Sequence, residues 1–257
     1  MPLPDCRHVL VTGAAGAIGR SLAEVLAERA RGARLTLVDK DARGVEAVAA
    51  RLKARAAVWD LSEPEAIAAS WEAAVAEGPV DVLVNCAGFM ELRSFETTPW
   101  VLGQRLLRVD LESPLRLMAL AVPAMVARGE GFIVNVASMA GLVPLRGSSY
   151  YGAAKAGLAM ASEVARVELA SRGVHVLTVY PGPVASDLER RARAQVRASW
   201  LSRAIPTGRP DVLAERVVEA LERRSPRVAY PPLYAVAARA LAVSRRITER
   251  FSPEPLQ

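Results

Sequence analysis

The 257-residue chain has very few lysines (Lys40, Lys53, Lys155), two cysteines and two histidines. Cys6 and Cys86 are too few for a disulfide framework, and no His or Cys pair has zinc-ligand spacing. No metal site is therefore expected, and a reducing cytoplasm fits. Long apolar runs are also lacking. The longest uncharged one, 117-LMALAVPAMVA-127, falls well short of the roughly 18 residues that suggest a membrane span, and reads as a buried helix. The opening MPLPDCRHVL carries prolines and charges where a secretory signal needs an apolar run. Aromatics make up only 5%, and the arginines behind the formal charge of +6 are scattered through every segment. A nucleic-acid footprint is not expected from that pattern.

What the chain has instead is alternation. Short β-branched runs at 8–12, 34–39, 56–60, 81–85, 132–138, 175–180 and 227–230 are separated by helical patterns. The helices are expected near 17–31, 41–54, 63–77, 100–128, 149–172 and 210–224. Nearly continuous apolar strands between helices indicate an α/β protein with a parallel sheet covered on both faces. With 52% hydrophobic residues the chain can bury one substantial core, so a single domain over 1–257 is expected.

The first strand runs into 12-TGAAGAIG-19 and then a helix. Gly13, Gly16 and Gly19 let the backbone turn tightly, approach a pyrophosphate and pack the helix on the sheet, while the helix N-terminus favours phosphate charge. Such a turn alone is also an ordinary strand-to-helix connection. The next strand, however, ends in Asp39, where a carboxylate can bond a ribose 2′-hydroxyl and repel a 2′-phosphate. NAD is expected over NADP. Lys40 pulls the other way, and capping of the helix near Asp41 is the bland role for Asp39.

The stretch 148-SSYYGAAK-155 sets two tyrosines ahead of a lysine. On a helix, residues four apart lie about 40° from each other and residues five apart about 140°, so Tyr151 shares a face with Lys155 and Tyr150 does not. A nearby ammonium favours the phenolate of Tyr151, which can then serve as general base in oxidation or general acid in reduction. Taken alone, such a pair is commonly a packing aromatic and a solvated charge. Ser138, thirteen residues earlier at the end of an apolar strand after a glycine-containing hairpin, offers a hydroxyl to hold the reacting oxygen.

Together these motifs resemble the short-chain dehydrogenase/reductase family in its compact, non-extended form. The glycine-rich turn, Asn85 with Ala87 and Gly88, Ser138, and Tyr151 with Lys155 match the family pattern, and 181-PGPVAS-186 resembles its Pro-Gly motif. The resemblance covers about residues 7 to 230. It implies a Rossmann-type, doubly wound, seven-stranded sheet and hydride transfer between a nicotinamide cofactor and a secondary alcohol or ketone. It also implies cofactor contacts from Ala15, Ile18, Lys40, Asp60, Leu61, Asn85, Ala87, Gly88 and Pro181. The Val184 backbone and Ser186 hydroxyl would hold the nicotinamide carboxamide, and Lys155 the nicotinamide ribose. A homodimer or homotetramer is implied as well, and Tyr150 is left to packing or substrate contact.

Three positions depart from the pattern. Cys86 replaces an Asn and Ser186 a Thr, both with little expected effect. Asp110 stands where the family usually has an Asn that helps hold a water in the proton relay to Lys155. A carboxylate there either pairs with Lys155 or is tolerated because the backbone carbonyl does the work.

Substrate selection is expected from 183–208, 89–100 and 139–147. Leu188, Val196, Trp200, Leu201 and Ile205 form a candidate apolar lid face, ringed by Arg190, Arg191, Arg193, Arg197 and Arg203. A hydrophobic substrate, acyl-chain or sterol-like, is the first expectation. The arginines suit an anionic carrier or, more simply, a solvated face. The tail at about 231–257 places Leu233, Ala237, Leu241, Ser244, Ile247 and Phe251 on one helical stripe among Arg239, Arg246 and Arg250. It reads as packing on its own domain or a second subunit, with a membrane-surface contact as the lesser alternative. A cofactor-binding regulator or scaffold with little turnover is the second functional reading, resting on Asp110.

Overall fold

A computed structural model of the chain describes residues 3–197 and 206–256. The β-branched runs become β1 His8–Thr12, β2 Arg34–Asp39, β3 Arg55–Val58, β4 Val82–Asn85, β5 Gly131–Val136, β6 Val174–Pro181 and β7 Arg227–Tyr230. They form one parallel sheet in the order β3-β2-β1-β4-β5-β6-β7. Parallel neighbours need crossovers, and helices supply them. These are α1 Ala17–Arg29, α2 Ala42–Leu52, α3 Ile67–Val75, α4 Trp100–Leu107, α5 Ser113–Arg128, α6 Ser149–Leu169, α7 Asp187–Ala194 and α8 Pro210–Glu222, followed by α9 Pro232–Arg239 and α10 Leu241–Phe251.

The period of two along each strand sorts the core. From β1, Val9 and Val11 pack with Leu22 and Leu26 of α1 and Val217 of α8. Leu10 points the other way, into a cluster with Trp71 of α3 and Leu117 of α5. Strands β1, β4, β5 and β6 are buried at every position, which is why their sequences read as unbroken apolar runs. Strand order reverses at β1, where Val11 is in register with Leu37 of β2 on one side and Val84 of β4 on the other. In open α/β sheets the carboxyl edge at such a reversal is where ligands bind.

Three expectations need correction. The helix expected over 100–128 is continuous but carries a π turn at Arg108–Glu112, which admits an extra residue and places Asp110 inside the protein. The tail is two helices, not one stripe. The chain bends at Ala240, where the Ser244 hydroxyl donates to Ala237 O at 2.8 Å, so Ala237 and Ala238 pack inward while α10 takes a new direction. Finally, β5 is entered from a helix and not from a hairpin. Gly129, at φ +73, ends α5, and Gly173, at φ +77, crowds against it before β6.

A Cβ on Gly173 would collide with the Gly129 carbonyl, a backbone atom that cannot swing aside. Gly173→Ala is therefore expected to cost about 2 kcal/mol or more from left-handed strain and overlap together. A urea titration of both forms, compared at equal slope, checks this.

Candidate active site

The carboxyl edge is assembled by one hydroxyl. Thr12, at the end of β1, donates to Val84 O at 3.3 Å and accepts from the N–H groups of Cys86 and Ala87, each at 3.1 Å. This draws the loop after β4 against the loop after β1. The approach is so close that a Cβ on Gly13 would lie 2.7 Å from Ala87 Cα, and one on Gly19 would strike Gly13 O. Asp39 Oδ2 accepts from Ala15 N–H and its Oδ1 from Asp41 N–H, both at 3.0 Å. Asp39 is thus a brace for the glycine-rich turn, while α2 is capped by Asp41, which accepts from Gly44 N–H.

The reactive end is a buried cluster carried by β5, α6 and the π turn. Lys155 Nζ donates to Val136 O at 2.9 Å and lies 3.1 Å from Asp110 Oδ1, both side chains being almost wholly buried. The pairing is an ion pair by distance, for no well-directed hydrogen bond reaches Oδ1. The other oxygen, Oδ2, is 3.4 Å from Phe89 N. Gly88 makes room for this arrangement, since a Cβ there would lie 2.5 Å from Asp110 Oδ1. The same ammonium lies 5.8 Å from the centroid of the Tyr151 ring.

Burial and mutual charge set the ionisation of this cluster. Burial raises the Tyr151 phenol; Lys155 pulls it down, Asp110 pushes it up and Ser138 lowers it, with a net upward shift. Burial draws Lys155 down, but Asp110 and Tyr151 outweigh it and hold the ammonium above the ordinary lysine range. Burial pushes the Asp110 carboxyl up against the pull of Lys155. Cys86 is pushed up to about 12 by burial, so its thiol is unreactive here.

All of this opens on a cleft of about 1070 Å³ along the carboxyl edge. Of the expected site residues, Gly13, Ala15, Gly16, Ile18, Gly19, Asp39, Lys40, Asp60, Leu61, Ala87, Gly88, Asp110, Ser138, Tyr151, Lys155, Pro181, Val184 and Ser186 line it. Asn85 does not. Its amide points beneath the cleft, donating to Asn135 Oδ1 at 2.8 Å, and Asn135 in turn donates to Ser162 Oγ, so this Asn ties β4 to β5 and α6. Ser186 lines the cleft with its hydroxyl engaged as the cap of α7, accepting from Glu189 N–H and donating to Val184 O.

Tyr150 faces away, stacked on Phe95 at 5.8 Å and edge-on to Trp100. Of the expected lid, Leu188, Val196, Arg190 and Arg193 reach the cleft; Trp200, Leu201, Arg203 and Ile205 lie outside the described residues. Arg190 and Arg193 pair with Asp187 and Glu189 of their own helix, which leaves less charge for an anionic carrier. The motifs do not announce Arg105, whose guanidinium lies 5.2 Å from the Phe89 ring centroid, nor Tyr234, Ile247 and Phe251 of the tail, all of which line the cleft. The tail residues are legible as apolar but not as neighbours of a site some hundred positions earlier.

The sequence model described as short chain dehydrogenase matches residues 7–197. The chain belongs to the short-chain dehydrogenase family. It is 35% identical to a D-threitol dehydrogenase of Mycolicibacterium smegmatis over 83% of this chain and 85% of the relative. It is 34% identical to the 3-oxoacyl-[acyl-carrier-protein] reductase of Escherichia coli, over 78% and 82%. A short-chain dehydrogenase from Sphingobium yanoikuyae in complex with NADPH superposes with TM-score 0.80 at 30% identity, covering 95% of both chains. A 3-ketoacyl-(acyl-carrier-protein) reductase from Brucella melitensis complexed with NADH does so with TM-score 0.77 at 25% identity, over 87% and 96%.

Two variants separate the adjacent tyrosines. Tyr151→Phe should lower turnover by about 10²- to 10⁴-fold, the usual worth of a general acid or base, while cofactor binding persists. Tyr150→Phe should remain active, and steady-state kinetics with a fluorescence titration of cofactor reads both effects. A third variant tests the cluster's charge: Asp110→Asn removes an anion that holds the Tyr151 phenol up. The alkaline rise of kcat/KM for alcohol oxidation is expected at lower pH than in the parent, and a shift the other way contradicts the electrostatic account.

Proposed function

We propose that the chain is an NAD-preferring oxidoreductase that interconverts an apolar secondary alcohol and its ketone, with Tyr151 as the proton-transfer group. The observation carrying this reading is the buried Lys155 ammonium beside Tyr151, with Ser138 acting on the same phenol in a cleft. The cleft fits a dinucleotide. Gly13 and Gly19 occupy positions where any side chain would overlap backbone, and a carboxylate stands at the end of β2. Gly13, Gly16, Gly19, Asp39, Ala87 and Lys155 would hold the cofactor, which when bound accepts or supplies the hydride.

The chain's own part is proton handling and orientation. Ser138 holds the substrate oxygen next to the Tyr151 hydroxyl. In reduction Tyr151 gives its proton to the forming alkoxide, and in oxidation its phenolate removes the proton of the alcohol. Lys155 stabilises that phenolate through space, and Asp110 tempers it. Because both burial and Asp110 disfavour the phenolate, the neutral phenol is the prevailing form near neutral pH, which suits carbonyl reduction.

Apolar substrates are favoured by a wall that includes Met90, Leu92, Met139, Val143 and Leu145. The relatives named for threitol, galactitol and cis-4-hydroxycyclohexanecarboxylate act on more polar molecules, so the wall and not kinship supports this choice. A cofactor-binding scaffold is disfavoured by the intact Ser138, Tyr151 and Lys155. Exposed Trp100 and Val101 of α4, with Met160, Val164 and Val167 along α6, support a homo-oligomer, whose mass light scattering measures.

For the cofactor, Asp39 commits both oxygens to backbone N–H groups, which fixes its carboxylate at the turn. A 2′-phosphate there would meet that charge, with exposed Lys40 as the adjoining cation to offset it. NAD is expected to bind about tenfold or more tightly than NADP, and Asp39→Ala to narrow the gap, as read by fluorescence titration of both cofactors. Tighter NADP binding by the parent chain would overturn the preference.

A further inference from the structure

The C-terminal helices combine two features on one surface. Across the body some arginines are matched to acids, Arg29 to Glu215 and Glu222, Arg116 to Glu65, Arg128 to Asp81 and Arg227 to Glu163, while others, Arg20, Arg43 and Arg108 among them, pair with no acid among the described residues. On α9 and α10, Arg239 and Arg246 pair with no acid among the described residues, and Arg250 rests over its own neighbour Phe251 at 5.7 Å. The same helices expose large apolar side chains: Leu233 at 60%, Val236 at 62%, Val243 at 57%, Ile247 at 50% and Phe251 at 47%.

The exposure on α10 has a regular pattern. Residues four apart on a helix are about 40° apart, so Val243, Ile247 and Phe251 make one ridge, with Arg246 and Arg250 beside it. The inner side is fixed to the body. Arg245 donates to Leu142 O at 3.3 Å, and the Ser252 hydroxyl, just past the helix, accepts from Arg146 N–H at 2.9 Å. Ridge and arginines are thereby held outward. Ile247 and Phe251 also line the cleft, so the ridge runs into the cleft mouth.

An outward apolar ridge flanked by arginines that form no ion pair complements a surface that is apolar within and anionic at its face. A second copy of the chain is the competing occupant, and a two-fold contact centred on this ridge would bring two arginine-flanked faces of like charge together. Of the acids nearby, Glu254 lies 3.6 Å from Arg146 and 3.7 Å from Arg197, and Glu249, about 60° around the helix from Arg246, makes no ion pair with it. No helix among the described residues is long and apolar enough to cross a membrane, so the contact would be interfacial.

We propose that α9 and α10 form an interfacial foot that seats the mouth of the cleft on an anionic lipid surface. The contact does not depend on which substrate the cleft takes. Purified full-length chain is sedimented with vesicles of phosphatidylcholine alone and of equimolar phosphatidylcholine and phosphatidylglycerol. It is expected to pellet with the mixed vesicles, weakly with the neutral ones, and less as salt rises. Arg239→Gln with Arg246→Gln should weaken binding to the mixed vesicles about 30-fold. Val243→Asp, outside the cleft, should abolish pelleting and leave turnover of a soluble ketone and the solution mass unchanged. Failure of the parent chain to pellet with mixed vesicles, or equal pelleting of Val243→Asp, overturns the proposal. A lower mass for Val243→Asp by light scattering also overturns it, since the ridge would then be a contact between copies.

Discussion

The Lys155 ammonium is the point on which the carboxyl edge is organised. Its bond to Val136 O fixes α6 to the end of β5, and its ion pair with Asp110 fixes α6 to the π turn. A charge taken this far out of water stays charged only with such partners, and removing one alone leaves the other uncompensated. The local backbone conforms to that need. Gly88 leaves space for the carboxylate, and the π turn brings the carboxylate inward. The chemical result is a tyrosine whose proton affinity is set jointly by burial, one cation and one anion.

Much of this is legible in the sequence because the elements concerned are short and end in chemistry. A five-residue strand that ends in Thr12 and leads into three spaced glycines reads as a nucleotide turn once the next strand ends in a carboxylate, and a Tyr and Lys four apart share a helix face by geometry alone. Asn85 misleads for a clear reason. A motif gives the residue's place in the chain but not the direction of its side chain, and here the amide satisfies a buried polar line through Asn135 and Ser162 instead of facing the cleft. Ser186 shows a related limit, because a hydroxyl ahead of a helix is drawn to cap it.

The tail is the least legible part. Its apolar residues fall at helical spacing across Ala240, so periodicity favours one helix where the chain makes two. The bend is enforced by tertiary contact: Tyr234, Ala237 and Ala238 pack on the cluster containing Met139 and Tyr180. Contact with Gly182 adds to this, as the Tyr234 ring occupies the space a side chain there would need. Long-range packing of this kind leaves no local mark in sequence.

The chain's end is also tied to the end of α7. Leu256 N–H donates to Gln195 O and Arg197 N–H to Glu254 O, each at 2.9 Å, while Gln195 Oε1 accepts from Leu92 N–H at 2.9 Å. Through one antiparallel bridge between Val196 and Pro255, residues 254–256 are clipped across one rim of the opening. An affinity handle or fluorescent fusion attached at that terminus would begin beside the clip and pull on the rim, whereas one placed ahead of β1 would hang from the far, amino edge of the sheet and leave the rim alone.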